Sequence, residues 1–433
     1  MKKYVIEILR KSCIDRHFVK SFSKLTAGTA SAQLVSIITV PILTRLYGVE
    51  AYGIQAVYNS VVSIVFILAT GRYETAILLP KDDKQSFSVC CIVILLSLAM
   101  SICWFLGYMV VKDEVITFFG YGEVFDWLQW LPFTVMATSL SVVVTHWLNR
   151  MKDYNMMAKI GVLASMVNFV FAFVYAYLFY GDNFGLYFNT FVGNLFVASI
   201  FIFYCHKKRY FCFSWVSFRG LFNVAKLYSD MPRYMVGGSI LNDLSNRLPI
   251  FLLQGFAGEA VVGWYAMGLK LLGMPLQLVA TAVGNVFIRD AAEEWNEKKS
   301  CWNSFKKTFV ILFATGVIPN ILIFFYSCDV FVFFLGAHWY MSGVYCAYLV
   351  PMYFIKFIYS PLSGILLIAN KQKEFLYTQL CSIVVVYMGM KLGYSLFGTI
   401  DIVIILYGLS LFTYYSLVLV YCCSIAHNRN LSI

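Results

Sequence analysis

Residues 87–111 read Phe-Ser-Val-Cys-Cys-Ile-Val-Ile-Leu-Leu-Ser-Leu-Ala-Met-Ser-Ile-Cys-Trp-Phe-Leu-Gly-Tyr-Met-Val-Val, 25 positions without one charge. About 20 apolar residues suffice to cross the hydrocarbon core of a bilayer as a helix, where every backbone polar group must find its partner inside the segment. Outward from this run the pattern repeats. Apolar stretches between polar breaks give about twelve spans, over 23–46, 54–79, 87–111, 123–148, 158–179, 184–205, 232–255, 260–288, 305–327, 343–369, 375–396 and 399–425. The composition agrees: 61% of the 433 residues are apolar and 13% charged, against about a quarter charged in soluble proteins. The longest polar interruptions, near 206–230 and 289–307, are too short for a soluble catalytic domain.

The expected fold is an all-α polytopic membrane protein of about twelve transmembrane helices in two six-helix bundles. Placing the N-terminus inside assigns 26 of the 33 Lys and Arg to inner loops and span ends, one (Lys112) to an outer loop and six to the spans themselves. By the positive-inside rule both termini are then cytoplasmic. Residues 1–22 are an amphipathic basic segment suited to the anionic leaflet, without the apolar core and cleavage site of a signal peptide. The expected domains are a bundle over 23–205, a basic linker over 206–230, a second bundle over 231–426 and a tail over 427–433.

Each half opens on a proline-interrupted helix and a short outer turn: Pro41 before Gly48-Val-Glu-Ala-Tyr-Gly53, and Pro249 before Gly258-Glu-Ala-Val-Val-Gly263. The offsets, 208 between the prolines and 210 between Gly53 and Gly263, suggest parallel repeats about an axis along the membrane normal, with a substrate cleft between halves. Pro41, Pro249, Pro275, Pro319 and Pro361 are candidate hinges.

The charges within spans are Arg45, Arg72, Arg247, Lys270, Lys356 and Lys391, with Glu74 and Asp243 as the acids. Each base facing lipid at mid-depth costs about 2.5–3.5 kcal/mol on insertion scales, so most must face a polar interior. Arg45 and Lys391 lie near outer ends and can snorkel. Lys356 and Lys270 are placed by depth. Asp243 and Arg247, four apart, can pair along one helix face; Arg72 and Glu74, two apart on a continuous helix, point to different faces. A cavity with net positive charge suits a substrate carrying a permanent anion, phosphate above all. Gln33, Asn59, Asn168, Asn242, Asn246, Gln277 and Asn285 add hydrogen-bonding capacity of the kind sugar hydroxyls need, with aromatic rings for sugar faces.

No Cys-x-x-Cys or Gly-Lys occurs and the five histidines lie apart, so no metal centre, cofactor, phosphate loop or catalytic residue is expected. Most of the 12 cysteines sit in apolar runs as fillers; Cys328 and Cys346 could pair near the outer surface. Nucleic acid is not an expected partner, because the net charge of +11 is distributed as a membrane topology signal.

Several motifs carry a family likeness: Thr29-Ala-Ser-Ala-Gln-Leu, Pro41-Ile-Leu-Thr-Arg-Leu-Tyr-Gly48, Arg72-Tyr-Glu-Thr-Ala-Ile-Leu-Leu-Pro-Lys81 and Trp147-Leu-Asn-Arg-Met-Lys152 in the first half. In the second are Leu241-Asn-Asp-Leu-Ser-Asn-Arg-Leu-Pro249, Leu272-Gly-Met-Pro-Leu-Gln277, Val286-Phe-Ile-Arg289, Ser360-Pro-Leu-Ser363 and Asn370-Lys-Gln-Lys373. Over about residues 23–375 the chain resembles the O-antigen and polysaccharide repeat-unit flippases of the multidrug, oligosaccharidyl-lipid and polysaccharide exporter superfamily. The resemblance implies a bacterial inner-membrane transporter, not an enzyme. It would move undecaprenyl-pyrophosphate-linked oligosaccharide from the cytoplasmic to the periplasmic leaflet by alternating access, coupled to an ion gradient as in antiport. Arg72, Arg247, Lys270, Lys356 and Arg45 are the candidate substrate-binding residues, and Glu74 and Asp243 the candidate coupling carboxylates. A polysaccharide polymerase and its chain-length machinery are candidate partners. The alternatives are a drug or lipid exporter of the same superfamily, or a membrane-embedded glycan polymerase or acyltransferase, against which the short outer loops argue.

Overall fold

The computed structural model describes residues 31–119, 127–208 and 217–427. The basic segment over 1–22 and nearly all of the tail lie outside them. Among the described residues the chain is helical throughout, with no strand. The helices are α1 (Ser31–Leu43), α2 (Val49–Thr70), α3 (Asp83–Phe119), α4 (Leu131–Arg150), α5 (Tyr154–Leu178), α6 (Phe184–Lys208) and α7 (Phe218–Leu227). There follow α8 (Val236–Ala257), α9 (Glu259–Lys298), α10 (Trp302–Leu335), α11 (Tyr340–Leu362), α12 (Gln372–Phe397) and α13 (Ile400–His427). The protein is thus an all-α polytopic membrane protein.

Among the described residues, nine helices are long and apolar enough to cross a membrane. Helices α8 and α9 are long but not among them. Asn242, Asp243, Asn246 and Arg247 on α8, and Lys270 and Gln277 on α9, lower their hydropathy, and all six line a cavity rather than lipid.

Two compact units emerge. The first comprises residues up to Thr39 and Val65–Met235; the second comprises Val40–Ile64 and Val236–Ile433. The expected bundle boundary at the linker therefore misses one exchange: the first part of α2 is packed with the second unit. The reason is the glycine pair of the repeat. A Cβ on Gly53 would stand 1.9 Å from the carbonyl oxygen of Glu259, and one on Gly263 would stand 2.1 Å from the carbonyl oxygen of Val49. With the repeat offset of 210, Gly53 maps on Gly263 and Val49 on Glu259, so the two contacts are reciprocal. The paired openings of the two halves cross at backbone distance, as small residues permit between membrane helices. Tyr52 adds an edge contact to Trp339, with centroids 5.2 Å apart.

In the first unit α3, α4 and α6 pack around Phe87, Val143, Trp147 and Phe201. One end is tied by Arg150, which donates to the Pro80 carbonyl at 2.7 Å and pairs with Asp83 at 2.9 Å, joining two motifs far apart in sequence. Asp153 caps α5 through Met156 N–H and accepts from the Tyr204 hydroxyl at 2.5 Å. Trp127, Trp130, Phe184 and Phe188 cluster among α4 and α6, an aromatic belt of the kind found at membrane interfaces. In the second unit α11 is central, packed on α9, α10 and α13. Pro249, Pro319 and Pro361 lie inside α8, α10 and α11. Cys328 and Cys346 are both free thiols.

Candidate functional site

The site begins with four polar positions on α8. Asn242, Asp243, Asn246 and Arg247 recur at helical spacing, which puts Asp243 and Arg247 on one stripe, their Oδ1 and Nε 3.5 Å apart. Asn246 is fixed at both ends of its amide: Nδ2 donates to the Asn242 carbonyl at 2.8 Å, while Oδ1 accepts from Lys356 Nζ at 3.2 Å. Lys356 stands on the central helix α11 with its ammonium 5.7 Å and 5.9 Å from the ring centroids of Tyr353 and Tyr415. Tyr353 is three residues earlier, hence on the same face. Lys270 comes from α9.

These side chains open on one cavity of about 1080 Å³ within the second unit, large against the roughly 300–1,000 Å³ of ordinary small-molecule pockets. Its lining holds three cations, Arg247, Lys270 and Lys356, and one carboxylate, Asp243, a net charge of +2. Asp243 pairs with Arg247 through Oδ1, and its Oδ2 is buried without a hydrogen-bond partner. Lys270 has no hydrogen-bond or ion-pair partner among the described residues, and Lys356 has only the neutral Asn246 and two ring faces. Charged donors left without carboxylates can give short, charge-assisted hydrogen bonds to phosphate oxygens. Asn59, Gln277 and Asn285 also line the cavity, whereas Gln33 and Asn168 do not. The Asn168 amide lies against Gly193, its Oδ1 1.8 Å from where a Cβ there would stand.

Sequence reasoning missed the aromatic part of the wall. Tyr265 and Tyr407 are buried on α9 and α13, the Tyr265 hydroxyl donating to that of Tyr407 at 3.2 Å, and Tyr359 stacks on Tyr415. With Tyr353 they line the cavity, and Tyr353 and Tyr415 present their ring faces to Lys356. The i, i+3 spacing of Tyr353 and Lys356 was the available signal. Ser245 and Ser382 hydrogen-bond at 2.6 Å and line the same space.

Arg72 and Glu74 belong to the first unit. The expectation that they diverge from a continuous helix is corrected by the backbone. Gly71 and Arg72 are both left-handed, with φ of 56° and 61°, and end α2 at Thr70; a 3₁₀ helix then runs over Tyr73–Leu78. A left-handed arginine is costly, and the turn is held by Thr75 Oγ1 donating to the Arg72 carbonyl at 2.8 Å. The reversal brings Arg72 Nη1 to 3.2 Å from Glu74 Oε1. Glu74 is 2% exposed. Its second oxygen, Arg72 Nε and His146 Nδ1 are buried without hydrogen-bond partners, three polar atoms of one neighbourhood with capacity to spare. Arg45 lies exposed in the turn after α1, outside the cavity lining, and Lys391 projects over the Phe256 ring at 5.9 Å. Among the described residues no cluster of His, Cys, Asp and Glu could hold a metal.

A family profile described as "Polysaccharide biosynthesis protein" matches residues 42–343. No curated protein sequence matches the chain. Among solved structures, the lipid II flippase MurJ in an inward closed conformation aligns with a TM-score of 0.67 at 15% identity, covering 92% of this chain and 86% of that one. An inward-facing multidrug resistance MATE family transporter of the MOP superfamily aligns with a TM-score of 0.63 at 15% identity, covering 92% and 93%. The MATE multidrug transporter DinF-BH aligns at 0.65 with 11% identity, covering 93% and 96%. At these identities the likeness is one of fold.

Proposed function

We propose, of a chain that belongs to the polysaccharide biosynthesis protein family, that it is a flippase for oligosaccharide linked to a polyprenyl diphosphate. It works in the bacterial inner membrane, moving its substrate from the cytoplasmic to the periplasmic leaflet. The observation that carries this reading is the convergence of Arg247, Lys270 and Lys356, from three helices, on one cavity with a single carboxylate. A diphosphate carries a permanent negative charge, the kind of group that guanidinium grips bidentately and ammonium meets as a point charge. The saccharide follows into the cavity, where Asn242, Asn246, Gln277 and the tyrosine faces match hydroxyls and sugar rings, and the polyprenyl chain remains in lipid. No covalent bond changes.

Directional movement needs a second input. Glu74 and Asp243 are our candidates to carry an ion, since an ionisable group within a bilayer is by default a functional-site hypothesis. Each keeps one buried oxygen without a hydrogen-bond partner, Glu74 Oε2 and Asp243 Oδ2; of the two, Glu74 has the stronger support, because His146 lies nearby. Alternating access follows from the parallel repeat, whose reciprocal glycine contact gives the two openings equivalent roles.

A second reading, export of a drug, is favoured by the fold shared with MATE transporters and disfavoured for cationic drugs by the charge of the cavity. The test is replacement of Lys356 or Lys270 by Ala in a strain dependent on this protein. The reading expects surface polysaccharide to fall while membrane abundance is unchanged. Normal polysaccharide in both variants overturns it.

A further inference from the structure

Helix α7 leads from the first unit toward α8, and its sequence, Phe218-Arg-Gly-Leu-Phe-Asn-Val-Ala-Lys-Leu227, is not explained by transport through a cavity. At about 100° per residue, Leu221, Val224 and Ala225 share one face, and these pack on the core of the first unit. Phe218 and Phe222 form the next sector and are 90% and 67% exposed. Beside them, on the far edge, stand Arg219 and Lys226, both exposed. The order around the helix is protein, phenylalanine, base.

Its position is fixed. Ser217 caps its N-terminus through Gly220 N–H at 3.0 Å. The Tyr73 hydroxyl donates to the Ala225 carbonyl at 3.0 Å, and α7 packs on α3. This is the end of the first unit where Arg150 grips the Pro80–Asp83 loop and where Lys81, Lys84 and Lys152 are also found. Across 217–235 the charges are Arg219, Lys226 and Arg233 against Asp230, a net +2. A helix with an aromatic edge and an adjacent basic edge, at the basic end of a membrane bundle, has the form of an interfacial helix.

We propose that α7 binds the bilayer surface, Phe218 and Phe222 entering the acyl boundary and Arg219 and Lys226 contacting the phosphates of acidic phospholipids. Charge complementarity favours an anionic lipid surface: the exposed phenylalanines adjoin the exposed bases on a helix packed at the basic end of a bundle of membrane-length helices. The proposal does not depend on what the transporter carries. It has a consequence for the first unit, because Tyr73 on the Arg72–Glu74 turn hangs from α7 and Thr75 from Met231 just beyond it. A lipid-held α7 steadies that turn.

The test is hydrogen–deuterium exchange of amides 218–227 in the full chain, in nanodiscs of phosphatidylcholine alone and of an equal mixture with phosphatidylglycerol. The expected result is exchange about tenfold slower in the anionic bilayer, with the difference abolished in the double variant R219Q/K226Q while α11 exchanges as in the wild type. F218S/F222S is expected to speed exchange in both bilayers. Equal exchange of the wild type in the two compositions overturns the proposal. So does a difference that survives R219Q/K226Q, or slowing that appears only on adding soluble protein.

Discussion

Replacing Gly53 by Ala sets two effects of opposite sign against each other. Gly53 sits inside α2, where glycine costs about 0.5–1 kcal/mol relative to alanine, so helix propensity alone favours the substitution. The added Cβ, however, would lie 1.9 Å from the Glu259 carbonyl oxygen, 2.7 Å from its carbon and 3.1 Å from its Cα. Ordinary carbon–oxygen contacts are about 3.3 Å or more, so α2 and α9 must part by more than an ångström, and no flexible side chain is there to yield. Overpacking of this kind costs about 1–3 kcal/mol, and a clash with backbone belongs at the upper end. The net expectation is a loss of about 2 kcal/mol, several degrees in thermal midpoint, read by tryptophan fluorescence of the purified protein in detergent. Gly263→Ala, whose Cβ would meet the Val49 carbonyl oxygen at 2.1 Å, is expected to behave alike, and the double variant to fall short of the sum because both open one interface. A G53A midpoint equal to or above the wild type would refute the backbone-contact crossing.

Three further outcomes are expected. Glu74→Gln leaves the Arg72 guanidinium without its carboxylate; since Arg72 is part-exposed, destabilisation should be about 2 kcal/mol rather than the 3–5 of a fully buried pair, and Arg72→Gln in addition should recover part of it in a thermal melt. Asn246→Ala frees Lys356 from its oriented acceptor and is expected to weaken diphosphate binding about threefold to tenfold with unaltered melting, whereas N246D, by setting a carboxylate beside Lys356, should weaken it more. Glu294 is partly buried, which opposes ionisation, but hydrogen bonds from Ser304 N–H and Oγ, at 3.0 and 2.7 Å, and from the Asn303 backbone outweigh that. Its carboxyl titrates below the ordinary carboxylate range, so the stability it gives the first turn of α10 is present above that range and lost as pH falls through its depressed value; melting curves between neutral and acid pH should converge for wild type and E294Q at the acid end.

The fold was legible because a bilayer imposes length and apolarity on each element. The run over 87–111 lies wholly inside α3, and the glycine repeat at offset 210 marked the contact that joins the two openings. Depth arguments placed Lys270 and Lys356 in an interior because lipid makes the alternative costly. Other features depend on geometry that residue spacing does not encode. Helical spacing separates Arg72 from Glu74, and only the left-handed Gly71–Arg72 pair brings them together. Val40–Ile64 packs with the second unit through a contact some 200 residues distant in sequence. The tyrosines of the cavity wall were hidden among 30 tyrosines of similar setting, most of which serve packing or the interface.

The most direct measurement compares binding of farnesyl diphosphate and farnesol to the purified protein by calorimetry. The account expects the diphosphate to bind at least tenfold more tightly, and K270Q, K356Q and R247Q each to weaken it about tenfold or more without affecting farnesol. Equal affinity for the alcohol, or diphosphate binding untouched by all three substitutions, would contradict it.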